Sequence, residues 1–184
     1  MAAMVEADGE RLGRLLRLLV WGGAAVVWLI PLVVKLTVSG MLWTTFDFIV
    51  WGAMLLFAAG VCEIGLRLSG SLAYRAGVVV AVGTGFLITW SNLAVGIIGD
   101  EGEALNLIFF GVIAIALVGA FVARFRTQGL AVAMAITAAA QAGTALLAVT
   151  REPKVALIIG VFALGWLLSA WLFREAARAE PAAV

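Results

Sequence analysis

Six apolar stretches, each about as long as a bilayer-crossing helix, are separated by short gaps, and nine arginines occupy alternate gaps. The hydrocarbon core of a membrane takes about 20 helical residues. The stretches cover 18–38, 46–66, 76–98, 104–123, 129–149 and 155–173. Soluble domains carry about 25% charged residues. Here charged residues make up 12% and hydrophobic ones 65%, with a mean hydropathy of +1.16. Most of the stretches have no polar face to turn towards water. The expected fold is all-α: a polytopic membrane protein with six transmembrane helices in a compact bundle. Residues 1–17 form an arm, 18–173 the membrane domain and 174–184 a tail.

The arginines give an orientation. Arg11, Arg14 and Arg17 precede the first stretch, Arg67 and Arg75 follow the second, Arg124 and Arg126 follow the fourth, and Arg174 and Arg178 follow the sixth. The opposite side holds only Lys35, Arg151 and Lys154. By the positive-inside rule both termini are expected in the cytoplasm, across a bacterial inner membrane. Glu6, Asp8 and Glu10 followed by the first arginines suggest a short amphipathic helix lying at the cytoplasmic headgroups. Pro31 falls inside the first stretch and is expected to kink that helix without breaking it.

A weak internal match relates the second and fourth stretches. Asp47-Phe48-Ile49-Val50-Trp51-Gly52 aligns with Asn106-Leu107-Ile108-Phe109-Phe110-Gly111, and at the same offset Gly60 meets Gly119 and Arg67 meets Arg126. One reading is three like-oriented hairpins. The other is chance similarity between apolar sequences, with the arginines shared through topology alone. Small residues recur every four positions: Gly77, Ala81 and Gly85; Ala131, Ala135, Ala139 and Gly143; Gly165 and Ser169. Such faces let helix backbones approach closely. They are expected to pack inside the bundle or, second, to join a protein partner or another copy of the chain.

Polar groups within the stretches are costly and therefore informative. Lys35 and Asp47 flank the first outer loop and are expected to form an ion pair there. Glu63 and Arg67 are four residues apart on one helical face, in the favourable order for an inner pair. Asn92 and Gln141 appear at similar depth and are candidates for an interhelical amide bond or a polar cavity. With Asp100, Glu101, Glu103 and Asn106, the residues Lys35, Asp47, Asn92 and Gln141 make a candidate polar cluster in the outer half.

Catalytic chemistry has little to stand on. The chain has no histidine, one cysteine (Cys62) and no phosphate-binding glycine loop. No cofactor, metal site or nucleic-acid partner is implied, and the net charge of +1 adds no polybasic signal. In size and span count the chain is similar to the substrate-binding membrane components of vitamin transporters, a likeness of architecture alone. Two functions fit: a non-catalytic accessory or structural subunit of a larger membrane complex, or a small transporter or channel-like protein with an outward-facing polar cavity.

Overall fold

The computed structural model describes residues 2–100, 102–149 and 153–180, with backbone alone for 2–10. The described residues form six α-helices: α1 (Ala2–Thr37), α2 (Thr45–Leu68), α3 (Leu72–Ala94), α4 (Leu107–Val122), α5 (Thr127–Val149) and α6 (Pro153–Ala179). Each is long and apolar enough to cross a membrane, α4 together with the short turn Ala104–Asn106 before it. This is the form of an integral membrane protein. Many of its large apolar side chains, such as Leu18, Leu56, Phe121 and Leu164, are exposed, as lipid contact requires.

The chain divides into two units, residues 1–70 and 71–184. In the first, α1 packs on α2. The face α2 buries carries Trp51, Leu55, Ala59, Cys62 and Leu66, one residue per helical turn. Helix α1 runs unbroken from Ala2 and continues through Pro31. Proline has no N–H, so the carbonyl four residues earlier, that of Val27, loses its helical donor. The indole Nε1 of Trp51 donates to that carbonyl at 3.4 Å. The ring of Trp28 fills the space beside Gly52, where an added Cβ would meet it at 3.0 Å. Trp43 stands edge-on to Phe48 at 5.3 Å and to Trp51 at 6.1 Å, closing the loop end of this hairpin.

In the second unit the four helices neighbour one another in the order α3, α6, α5, α4, with α3 and α4 meeting only sparsely. The middle hairpin is therefore opened, and its helices pack onto α6 and α5. Every neighbouring pair runs antiparallel. Small residues set the spacing between them. Phe173 lies over Gly77, Trp166 over Gly85, and Thr84 over Gly165. An added Cβ on Gly119 would stand 2.8 Å from the Cβ of Ala133, and one on Gly129 2.7 Å from that of Ala123. Ser169 Oγ donates to the carbonyl of Gly77 at 2.9 Å, and Tyr74 Oη donates to that of Phe125 at 3.1 Å. The second bond secures the tight α4–α5 turn, where Arg124 and Phe125 take left-handed φ values of 50° and 58°.

The repeated small residues divide between two environments. Gly77, Gly85, Gly165 and Ser169 lie at the α3–α6 contact as expected. On α5 the inward face is instead Leu130, Ala133, Met134, Thr137, Ala138, Gln141, Thr144 and Ala148. Ala135, Ala139 and Gly143 are exposed on the other side, and a Cβ on Gly143 would meet nothing within 4 Å. The aligned glycines also differ: Gly52 is covered by Trp28, whereas Gly111 faces open space.

Candidate functional site

The third stretch does not run to residue 98. Helix α3 ends at Ala94, and Val95 N still donates to Ser91 O at 3.2 Å. Gly96 and Gly99 then take φ values of 72° and 68°, conformations glycine adopts without a Cβ penalty. These two reversals tuck Ile97 and Ile98 back into the same apolar cluster as Phe109 and Ile159.

Asn106, in the short 3-10 turn Ala104–Asn106 before α4, holds this plug. Its Oδ1 accepts from Ile97 N at 3.1 Å and Ile98 N at 2.9 Å. Its Nδ2 donates to Ile98 O at 3.1 Å and Asp100 O at 2.7 Å. Both ends of a buried amide are thereby used, which makes Asn106 a structural staple. Asp100 is likewise a turn former: its Oδ1 accepts from Gly102 N at 2.9 Å.

Asn92, in the last turn of α3, donates through Nδ2 to the carbonyl of Asn106 at 3.0 Å. It is 4% exposed, and its Oδ1 has no hydrogen-bond partner among the described residues. Asn92 lines a recess of about 370 Å³ together with Leu93, Glu103, Asn106, Leu107 and Phe110. Glu103 is half-buried there, and its carboxylate enters no ion pair or hydrogen bond among the described residues. Leu93, Leu107 and Phe110 continue the recess onto the exposed apolar surface of α3 and α4. Glu101 lies outside the described residues.

Gln141 does not join this group. Thr127 Oγ1 donates to Glu180 Oε1 at 2.6 Å, which sets the register of antiparallel α5 and α6. From that contact Gln141 and Trp166 are each fourteen residues along their helices, at one height about 21 Å in. Trp166 packs on Gly85, so Gln141 is level with the middle of α3, about 10 Å below Asn92. The expected similarity of depth is overturned by where α3 ends and how α6 is registered. Gln141 Nε2 reaches Thr144 Oγ1 at 3.4 Å, while Gln141 Oε1 and Trp166 Nε1 are both buried without a partner among the described residues. Buried threonines avoid this by bonding within their own helix, Thr84 to Val80 O and Thr137 to Ala133 O.

In the first unit Lys35 and Asp47 are not within ion-pair distance. Lys35 Nζ donates instead to the carbonyl of Trp43. Asp47 Oδ2 accepts from Thr44 N at 2.6 Å and from Thr44 Oγ1 at 2.9 Å, in a capping box that starts α2. Glu63 Oε1 accepts from Arg67 Nε at 2.7 Å and also lies 3.9 Å from Arg17. The second arginine was not legible in the spacing, since it comes from α1.

The sequence matches no family model, and comparisons with curated proteins and with solved structures give no match.

Proposed function

We propose that this chain is a non-catalytic subunit that packs against protein in the membrane, as an accessory or structural component of a larger assembly or of a homo-oligomer. The observation that carries this reading is the exposed small-residue line on α5, Ala135, Ala139 and Gly143. It is flanked by the exposed Val132, Ile136 and Leu146. A shallow groove between such ridges lets another helix backbone approach closely, and close van der Waals packing is a main source of helix association in lipid. The close packing of α3 on α6, with Trp166, Phe173 and Thr84 seated over glycines, supports a rigid scaffold. The arginine bias supports a cytoplasmic membrane with both termini inside.

The test is purification in mild detergent, with the mass of the assembly measured by light scattering before and after Gly143→Leu. A partner or second copy that is lost in the variant, with the thermal melt of the chain unchanged, supports the reading. A monomer whose mass the substitution does not alter counts against it. The second reading, a small transporter or channel-like protein, is supported by the recess at Asn92 and Glu103. Solute or ion flux in liposomes that is lost on Glu103→Gln favours it.

A further inference from the structure

We infer that the recess at the α3–α4 connection seats the ammonium group of an aminophospholipid such as phosphatidylethanolamine. Among the described residues, Asn92 Oδ1 is buried without a donor and Glu103 is a half-buried carboxylate without a cation. Among the described residues, no cationic side chain lines the recess. An occupant that satisfies both groups must therefore supply N–H donors and positive charge, since unpaired buried acceptors are costly. The recess lies where α3 ends and α4 begins, at the level where a membrane gives way to its headgroups. Its other wall is Leu93, Leu107 and Phe110, exposed apolar side chains that continue down the two helices. A ligand that is charged at one end and apolar along the rest fits this gradient, and the lipid itself has that form. Asn106 contributes shape and not binding, because its side-chain amide is already fully bonded. The inference holds whether the chain is a subunit or a transporter.

The experiment is native mass spectrometry of the full chain in mild detergent, titrated with phosphatidylethanolamine, phosphatidylglycerol and phosphatidylcholine of matched acyl chains. One phosphatidylethanolamine is expected to be retained about tenfold more tightly than either of the others, because the choline headgroup is cationic without N–H donors and the glycerol headgroup lacks the positive charge. Glu103→Gln keeps the backbone bonds of the turn and is expected to remove most of that preference, with the thermal melt unchanged. Asn92→Leu is expected to do the same, at some cost in stability because Asn106 O loses a donor. Equal retention of the three lipids overturns the inference, as does a phosphatidylethanolamine preference that survives Glu103→Gln. Soluble phosphoethanolamine competing as well as the lipid, mole for mole, also overturns it by removing the role of the apolar wall.

Discussion

The indole N–H of Trp51 lies 3.4 Å from the carbonyl oxygen of Val27, the one that Pro31 deprives of its helical donor. The proline and the tryptophan are thus coupled through a backbone oxygen neither of them owns. In a membrane, where no water reaches the helix, such a freed carbonyl needs a partner from a neighbouring helix. The expected signature is a double-mutant cycle. Trp51→Phe keeps an aromatic ring but loses the fused pyrrole with its donor, and should destabilise the chain by roughly 1 kcal/mol for the bond in addition to the lost packing. In a Pro31→Ala background, where residue 31 again supplies an N–H, the same substitution should cost less, the difference being the part due to the bond. Additive effects in thermal denaturation would show that the two sites are uncoupled.

Gly165→Ala should destabilise the second unit. The new Cβ would lie inside contact distance of Thr84 Oγ1, 3.0 Å from its Cγ2 and 3.3 Å from its Cβ. Thr84 cannot swing away freely, because its hydroxyl bonds Val80 O at 2.8 Å. Overpacking of this kind costs about 1–3 kcal/mol. Adding Thr84→Ala removes the two nearest atoms and should restore much of the loss. Failure of the double variant to melt above Gly165→Ala alone would place the strain elsewhere.

Asn106→Asp tests whether the staple needs its donors. The acceptor for Ile97 and Ile98 N–H survives, but Nδ2 is replaced by an oxygen facing the carbonyls of Ile98 and Asp100. Lone pairs would then oppose lone pairs. Hydrogen exchange at the Ile97 and Ile98 amides should accelerate on the order of tenfold or more. Wild-type protection in the aspartate variant would mean that the two retained bonds suffice.

Gln141→Met should leave stability unchanged or raise it by about 1 kcal/mol, because the side-chain oxygen Oε1 of Gln141 is buried without a donor among the described residues. The shape of the side chain is nearly kept. A fall in melting temperature would show that Gln141 ties helices together in a way the Thr144 contact does not account for.

The proposed orientation is open to labelling. Cys62 is the single cysteine and is buried, so a Cys62→Ala background gives a clean reporter. In intact cells a membrane-impermeant maleimide should modify cysteines placed at Ser39 and Lys154, and spare those placed at Gly70 and Arg178. The reverse pattern would invert the topology.

The six spans were legible in the residues because hydropathy is a local property summed over about 20 neighbours, although α3 ends at Ala94, short of its apolar stretch. The pairing of Glu63 with Arg67 was legible for a similar reason, as it lies within one helical turn. Which way a small-residue face points was not. In a soluble protein polarity marks the outer face, but lipid is as apolar as a packed core, so a line such as Ala135, Ala139 and Gly143 looks the same whether it faces in or out. Only the packing put it outside while Gly77 and Gly165 went inside. The fates of Asn106, Asn92 and Gln141 were settled in the same way. One is saturated, one is half-satisfied at the rim of a recess, and one is buried level with Trp166. Residue type states how many partners a buried amide needs. Where those partners stand depends on helix ends and interhelical register, which arise only when distant segments meet.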